Sequence, residues 1–428
     1  MSNLLDRLDT EQRNWLRLCG ELAGVRRGRA FLVGGSVRDL ILNRDQADLD
    51  VVVEGDGMGV AEDLARSLGA DLTRHHAFQT CVVKTPAGLR FDVATARCEE
   101  YRRPGELPRV VAGSLEEDLG RRDFTINAMA ISLSDLEFGA FYDLHNGQTD
   151  LETGCIRVMH PRSFADDPTR VLRALRFSLR YGYMIESETE QWLKEAITGG
   201  YLDTVSGERI CKELRLTFEE SPIQGPLRFD AEGALTRVHI GLRARKEILQ
   251  ELQDLVSWER DAGGVVSKID EPIGWTMVLG CCATDLPAQE RWNVARQLRL
   301  SREERAPLID SGVPWRKAVN HLFAGPSPPP DSAVERAFRE VDRGALLIAA
   351  ATVGADAAEA KLVRSYLANL RGVEPELGGS ELKELGISEG PQLGEFLERL
   401  RSAKLDGNAP NIAAERRLVA IWLAENWL

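Results

Sequence analysis

The chain has 428 residues, of which 43% are hydrophobic, and it carries a net charge of −13. Its length allows about two to four domains with substantial cores, and its acidic balance argues against a protein that coats nucleic acid without specificity, although a local basic cleft is compatible with it. Seven scattered cysteines without CxxC spacing indicate neither a disulfide framework nor a zinc site. There is no apolar run of about 18 residues, and the charged segment 1–15 is unlike a signal peptide, so we expect a cytosolic protein without membrane association.

The first predicted elements are an amphipathic helix over residues 3–25 and an apolar strand over Ala30–Val33. The Gly34–Gly35 pair interrupts that strand, and Ser36 can cap a short helix that follows. Because glycine has no side chain, a phosphate can approach backbone N–H groups at the start of this helix, and Arg38 carries a guanidinium suited to phosphate oxygens. The segment therefore predicts a phosphate-binding turn, or more simply a tight turn.

Asp48 and Asp50 lie two residues apart at the head of the next predicted strand, Leu49–Val53. The strand period of two places both carboxylates on one face. Neighbouring carboxylates repel unless a cation neutralises them, and Mg²⁺ with oxygen ligands from protein and substrate phosphate is the usual solution. Alone, the two aspartates could be a solvated strand end. Together with the glycine turn they predict a metal and phosphate site.

The string Gly34-Gly35-Ser36-Val37-Arg38-Asp39, followed by Asp48-Leu49-Asp50, closely resembles the signature of one enzyme family. This family comprises the class II tRNA nucleotidyltransferases and the bacterial poly(A) polymerases, within the polymerase β superfamily. In it, the two aspartates hold the catalytic magnesium ions, and the glycine and arginine positions bind the phosphates of the incoming nucleotide. The resemblance therefore implies Mg²⁺ as the cofactor, Asp48 and Asp50 as catalytic metal ligands, and Gly35 and Arg38 as nucleotide-binding residues.

A helix over residues 57–68 and strands over residues 78–84 and 89–95 are predicted next. Asp92 in the second strand is unusual in an apolar segment. It is either a third metal ligand, since the superfamily usually places a further acid on a neighbouring strand, or an ordinary strand residue. Residues 99–108 combine proline, glycine and charge and predict an irregular loop. By position this loop corresponds to the family's mobile loop.

The string Arg121-Arg122-Asp123-Phe124-Thr125-Ile126-Asn127-Ala128 resembles the second motif of the same family. Without the resemblance, a solvated helix start would be the simpler interpretation of these charges. The resemblance implies that Arg122 contacts nucleotide phosphate or ribose, with Asp123 and Asn127 in supporting roles. Segment 141–159 resembles the third motif, a turn and strand that close the catalytic domain.

Segment 165–177 predicts a helix that starts at Pro168 after an Asp167 cap. Its leucines form a buried stripe, and its arginines recur every three or four residues on the other surfaces, which makes a basic cleft. These arginines are Arg170, Arg173, Arg176 and Arg180. The alternative interpretation is an exposed cationic helix with a capping aspartate.

Base recognition gives the helix a second interpretation. Cytosine and adenine offer an exocyclic amino donor beside a ring-nitrogen acceptor, whereas uracil and guanine offer a carbonyl beside a ring N–H. A fixed Asp acceptor beside a fixed Arg donor therefore admits C and A and leaves polar groups unpaired against U and G. The segment resembles the family's fourth motif, usually Glu-Asp-x-x-Arg, which implies that Asp167 and Arg170 pair with the base and that Arg173 and Arg176 contact the nucleotide. Asp166 stands where Glu is common.

Beyond about residue 220 the chain is helical in pattern, with amphipathic segments at 249–258, 273–282 and 289–298 and a proline-rich linker at 323–332. The resemblance is diffuse here. It implies a body and tail that bind tRNA by shape and backbone contacts, as RNA duplexes generally are bound.

We therefore predict an α+β protein with a polymerase β-like nucleotidyltransferase head, a mixed sheet with helices, over residues 1–160. A helical neck with the nucleobase template follows over 161–220, and an all-α body and tail that bind tRNA over 221–428. The predicted function is template-free transfer of CMP and/or AMP from CTP and ATP to the 3′ end of tRNA. The alternatives are an enzyme that adds only CC or only A, a poly(A) polymerase, and a non-catalytic RNA-binding module. The motifs leave the oligomeric state open.

Overall fold

The computed structural model describes residues 4–44, 48–76, 79–100, 105, 109–261 and 274–425. The chain divides into two compact units, Met1–Ser206 and Gly207–Leu428. Each unit has a hydrophobic core of its own. The finer functional division into head, neck, body and tail remains a prediction.

The first unit is built on a mixed β-sheet. Among the described residues this sheet contains seven strands in the order β3-β4-β5-β2-β1-β8-β9, in which only β2 and β5 pair in parallel. Strands β6 and β7 form a separate antiparallel pair, and β10 and β11 a short parallel one. The strands are β1 (Arg29–Val33), β2 (Asp48–Glu54), β3 (Asp71–His75), β4 (Thr80–Lys84), β5 (Arg90–Thr95), β6 (Arg97–Glu100), β7 (Arg109–Ala112), β8 (Met129–Ser132), β9 (Phe141–Asp143), β10 (Cys155–Ile156) and β11 (Met184–Ile185).

Helices of the first unit cover this sheet and carry the remaining motifs. The apolar runs 30–33 of β1 and 51–53 of β2 are buried at the centre of the sheet. Helices α1 and α3 pack on the strands of the sheet and on each other. The helices are α1 (Thr10–Val25), α2 (Gly35–Ile41), α3 (Gly57–Leu68), α4 (Leu115–Gly120), α5 (Gly147–Thr153), α6 (Ser163–Asp166), α7 (Thr169–Tyr181) and α8 (Ser187–Thr198).

The predicted mixed sheet and the helix over 57–68 are confirmed. Strand β3 was not predicted, because Asp71–His75 is a polar edge strand without an apolar face. The prediction of an irregular loop over 99–108 is wrong for residues 99 and 100, which pair with Val110 and Arg109 in the β6/β7 ladder. Residues 101–104 and 106–108 of that predicted loop lie outside the described residues, as does Phe78 at the start of the predicted strand 78–84.

Among its described residues, the second unit contains helices joined by turns and loops and no strand, as predicted. The predicted segments 249–258 and 289–298 correspond to α12 and α14, and the proline-rich linker separates α16 from α17. Among the described helices, none combines the length and apolar character needed to cross a bilayer. The α-helices are α9 (Gly207–Glu220), α10 (Gln224–Ala231), α11 (Ala234–Val238), α12 (Lys246–Asp261), α13 (Trp275–Cys282), α14 (Ala288–Gln297), α15 (Arg302–Asp310), α16 (Val313–Phe323), α17 (Asp331–Phe338), α18 (Arg343–Val353), α19 (Ala358–Ser365), α20 (Gly379–Glu384), α21 (Pro391–Leu405) and α22 (Ile412–Ala424), and a π-helical turn covers Tyr366–Leu370.

Candidate active site

The turn between β1 and α2 is tied directly to the two aspartates on β2. Helix α2 begins at Gly35, so Ser36 lies inside its first turn and does not cap it as predicted. Instead, the Ser36 hydroxyl accepts a hydrogen bond from the backbone N–H of Asp50 at 2.9 Å and lies 3.3 Å from the carbonyl oxygen of Asp48. This one side chain therefore holds the glycine turn against the strand that carries both carboxylates.

The glycines bring backbone close to charged side chains. Gly34 has a φ of 69°, and a Cβ atom added there would lie 2.5 Å from Nη1 of Arg122 and 3.7 Å from Oδ2 of Asp50. At Gly35 an added Cβ would lie 3.4 Å from Nη2 of Arg38 and 3.8 Å from the same carboxylate oxygen. Glycine at position 34 is required both by the left-handed backbone and by the close approach of Arg122.

The carboxylates of Asp48, Asp50 and Asp92 lie on the adjacent parallel strands β2 and β5. Asp50 on β2 is in register with Asp92 on β5, and Asp48 with Arg90. Arg90 binds Asp92 through two hydrogen bonds of 2.9 Å. Among the described residues, no three His, Cys, Asp or Glu side chains form a ready-made metal site. The role of Asp92 as a third ligand stays a prediction.

Burial raises the pKa of the Asp50 carboxyl; Arg122 opposes this shift, whereas Asp92 and Asp48 add to it. A partly buried carboxylate beside two further acids is an environment that a cation would stabilise. Hard carboxylate oxygens on one strand face suit a divalent cation such as Mg²⁺. The donor set of Asp48 and Asp50 therefore fits the predicted metal.

A cavity of about 370 Å³ opens beside these strands. Its charged lining residues are Asp50, Asp92, Arg90, Arg121 and Arg122, with His75 at one side. Both signs of charge meet in this space, as expected where a cation and an anionic substrate bind together. Of the residues predicted from sequence, Asp50, Asp92 and Arg122 line the cavity. Its lining does not include Asp48, Gly35, Arg38 or the residues of the template helix.

Arg122 is held between the cavity and a buried acid. Its Nη2 donates to Asp118 at 3.0 Å and its Nη1 to the carbonyl oxygen of Asn127 at 3.4 Å. Its Nε is buried and has no hydrogen-bond partner among the described residues. Arg122 is therefore fixed in place and keeps a donor that nothing described in the protein satisfies.

Each of the three guanidinium nitrogens of Arg38, the other predicted phosphate ligand, already donates a hydrogen bond within the protein. Asp39 binds its Nε and Nη2 at 2.9 Å each, and Nη1 donates to Asn127 at 2.6 Å. Burial on its own would lower the pKa of Arg38, and the pairing with Asp39 outweighs burial and raises it. The ring of Tyr181 lies 5.2 Å from this guanidinium. In the observed arrangement Arg38 braces the glycine turn.

Asn127 connects Arg38 to the second motif and to helix α7. Its amide nitrogen donates to Asp123 at 2.9 Å, and Asp123 in turn binds Nε and Nη2 of Arg173 at 2.9 and 2.5 Å. The structure thus joins Arg38, Asn127, Asp123 and Arg173 in one continuous polar chain. The supporting roles of Asp123 and Asn127 in nucleotide binding stay predictions.

The predicted template pair, Asp167 and Arg170, lies at the start of α7. This helix begins at Thr169, one residue later than predicted. The Oδ1 atom of Asp167 accepts from the backbone N–H and the hydroxyl of Thr169 at 3.0 and 2.7 Å. Arg170 donates from Nη2 to the carbonyl oxygen of Arg121 at 2.5 Å. Arg170 and Arg176 are each only 5% exposed. The alternative interpretation of an exposed cationic helix is wrong for these two arginines, because Arg170 donates to the carbonyl oxygens of Ser163 and Arg121 and Arg176 lies against the ring of Phe177.

Three acidic residues that bind Arg38, Arg121 and Arg122 were not predicted. They are Asp39, Glu99 and Asp118. Two of them carried a local signal: Asp39 follows Arg38 directly, and Asp118 lies one helical turn before Arg122. Glu99 lies on β6 and meets Arg121 only through the fold, so its partner could not be found from spacing.

The chain is similar in sequence to known proteins. The family described as the poly(A) polymerase head domain matches residues 30–157. The A-adding tRNA nucleotidyltransferase of Geobacter sulfurreducens is 35% identical over 403 residues, which cover 92% of this chain and 45% of that protein. The chain therefore spans less than half the length of that relative.

Two solved structures are similar along nearly the whole chain. A CCA-adding enzyme in apo form II has a TM-score of 0.80 at 31% identity, with 98% of each chain covered. The Thermotoga maritima CCA-adding enzyme complexed with tRNA has a TM-score of 0.76 at 30% identity, with 98% of this chain and 97% of that chain covered.

Proposed function

This chain belongs to the family of CCA-adding tRNA nucleotidyltransferases and poly(A) polymerases, and from that premise we propose that it transfers a nucleoside monophosphate from ATP, CTP or both to the 3′ end of tRNA. One observation carries the proposal. Asp48 and Asp50 share a strand face beside the Gly34 turn, and Arg122 stands against that turn and lines the same cavity as Asp50.

In the proposed reaction, the 3′-hydroxyl oxygen of tRNA attacks the α-phosphorus of the nucleotide. The new O–P bond forms as the bond from the α-phosphorus to the oxygen bridging to the β-phosphate breaks, pyrophosphate leaves with that oxygen, and the proton of the hydroxyl is released to solvent. Asp48 and Asp50 would hold Mg²⁺, which would activate the hydroxyl and neutralise the leaving pyrophosphate. Ser36 keeps the glycine turn and these two ligands in one rigid unit.

Arg122 is the proposed phosphate ligand. Its guanidinium lies against Gly34, where the missing Cβ lets Arg122 approach the backbone of the glycine turn. The unpartnered Nε would gain an acceptor when an anion binds. Arg38 remains a predicted nucleotide contact that would have to exchange Asp39 or Asn127 for a phosphate oxygen.

Base choice is proposed to rest on Asp167 as acceptor and Arg170 as donor. Thr169 and the start of α7 fix the carboxylate of Asp167, and the main chain of Arg121 fixes Arg170. Fixed partners discriminate because a base with the wrong donor pattern leaves buried polar groups unpaired. Arg173 and Arg176 lie on the same helix and are proposed to support nucleotide binding.

The first candidate product is a single terminal A on a tRNA that ends in CC, because the A-adding relative matches 92% of this chain. Complete CCA addition is the second candidate, because two solved CCA-adding enzymes match at least 97% of both chains.

One assay separates these functions: tRNA transcripts that end before the first C, after C and after CC are each offered CTP, ATP or both. An A-adding enzyme extends only the CC-ended transcript, and a CCA-adding enzyme completes all three. A CC-adding enzyme stops before A, and a long adenosine tail would mark a poly(A) polymerase. Failure to extend every transcript would contradict the proposed function.

A further inference from the structure

Five side chains of alternating charge form a continuous ladder behind the cavity. Arg97 binds Glu99 at 3.2 Å, and Glu99 binds Arg121 at 2.9 Å. Arg121 binds Asp118 at 2.6 Å, and Asp118 binds Arg122 at 3.0 Å. The ladder therefore runs from strand β6, through the end of α4, to the arginine that stands against the glycine turn.

The two acids of the ladder are buried, and its three arginines are partly buried. The side chain of Asp118 is 0% exposed and that of Glu99 is 7% exposed. Burial alone would raise the pKa of Asp118, but Arg122 and Arg121 outweigh it and lower the pKa. Replacing a buried ion pair by apolar residues is often neutral for stability, so charge along this path is weak evidence for a stabilising role. Such pairs do fix the positions of the groups that they join.

Arg121 is the branch point of the ladder. Its side chain bridges Glu99 and Asp118, and its main-chain carbonyl oxygen accepts a hydrogen bond of 2.5 Å from Nη2 of Arg170. Any shift of the Arg121 backbone therefore shifts an acceptor that holds the donor proposed to recognise the base. Arg121 also lines the cavity with Arg122.

We propose that Arg121, anchored by Glu99 and Asp118, is a positioning residue that sets base selectivity through its main-chain contact with Arg170. This inference rests on the base selection of the proposed function. Arg121 itself contacts no base in this scheme. When Glu99 or Asp118 releases the side chain of Arg121, the carbonyl oxygen of Arg121 moves. Arg170 then loses its fixed geometry, and discrimination between bases with different hydrogen-bond donor patterns weakens.

Equilibrium binding tests the inference without tRNA. The affinities of the full chain for ATP against GTP, and for CTP against UTP, are measured by calorimetry, so that each comparison holds base size constant. Glu99→Gln keeps the shape of the side chain and removes its charge. We expect Glu99→Gln to reduce the ratio of affinities, ATP over GTP and CTP over UTP, by about tenfold, while the affinity for ATP or CTP itself changes less. Arg121→Lys, which lacks the planar fork, should act in the same direction.

A double-mutant cycle separates positioning from general loosening. If Glu99 acts through Arg170, the effect of Glu99→Gln on the affinity ratio should disappear in an Arg170→Lys background. The matched control is Glu62→Gln, which breaks an ion pair of 2.9 Å with Arg74 elsewhere in the same unit, where Glu62 is 38% exposed. Its effect should be small and additive with Arg170→Lys.

Thermal unfolding of every variant accompanies the binding data. A Glu99→Gln protein with lower thermal stability but unchanged affinity ratios would overturn the inference and leave the ladder a structural element. Additive effects of Glu99→Gln and Arg170→Lys would overturn it as well. A wild type that discriminates nucleotides but never extends tRNA would instead contradict the proposed function.

Discussion

Arg173 on helix α7 binds Asp123 in the second motif through two hydrogen bonds of 2.9 and 2.5 Å. Asp123 also accepts a hydrogen bond from the amide nitrogen of Asn127. The amide oxygen of Asn127 in turn accepts a hydrogen bond from Nη1 of Arg38. Helices α2 and α7, far apart in sequence, are therefore linked through Asn127 and the carboxylate of Asp123. Helix α7 is held in position relative to the glycine turn by this chain of charge-assisted hydrogen bonds.

The pKa of Asp123 gives the first prediction. Burial alone would raise this pKa, but the charge of Arg173 and hydrogen bonds from Asn127 and Arg173 outweigh burial and lower it from 3.8 to about 2. Because the folded-state pKa is the lower one, the ionised carboxylate stabilises the fold above about pH 4, and this stabilisation is lost as the pH falls towards about 2.

We therefore expect Asp123→Asn to lower the free energy of unfolding by about 2 kcal/mol at pH 7 and by roughly half of that at pH 3. Urea unfolding of both proteins across this pH range measures the difference. A difference that stays constant with pH would show that the carboxylate is not held ionised by Arg173.

The second prediction concerns the glycine turn. Gly34 and Gly69 have similar left-handed φ angles of 69° and 60°, but an added Cβ meets Arg122 at Gly34 and nothing within 4 Å at Gly69. Alanine at Gly69, whose backbone is αL, should cost about 1 kcal/mol of stability, and alanine at Gly34 should cost more, because the φ of 69° there combines with a ψ of −132°, outside the αL region. Only Gly34→Ala should also displace Arg122 and raise the KM for nucleotide, which steady-state kinetics measures. Equal changes of KM in both variants would contradict the proposal that Arg122 binds the nucleotide phosphate.

Third, Asp167→Ala should relax discrimination against UTP and GTP, because it removes the acceptor for the amino group of the base. The substitution also removes the hydrogen bonds to Thr169. Glu186→Ala is the matched control, since Glu186 caps α8 by accepting from the N–H groups of Glu188 and Thr189. Primer extension with each nucleotide measures selectivity. If both variants keep the wild-type preference, the base is read elsewhere.

The sequence predicted what local patterns encode. The glycine turn and the aspartate pair follow from strand period and backbone freedom, and the structure brings Asp50 and Arg122 to one cavity as expected. Contacts made by the fold alone were not predictable. Ser36 binds the main chain of β2 instead of capping α2. Glu99 on β6 binds Arg121 at the end of α4. The burial of Arg170 depends on a carbonyl group 49 residues away in sequence, which helical spacing does not show.

The central claim is that Asp48 and Asp50 support nucleotidyl transfer to tRNA. The most direct test is the rate of AMP incorporation into a tRNA that ends in CC, with Mg²⁺ present, by the wild type and by Asp48→Ala and Asp50→Ala. We predict that the wild type adds one nucleotide, and that each variant loses transfer while tRNA binding and thermal stability stay nearly unchanged. Retention of more than about a tenth of the wild-type kcat, a loss below about 1.4 kcal/mol in either variant, would contradict the assignment.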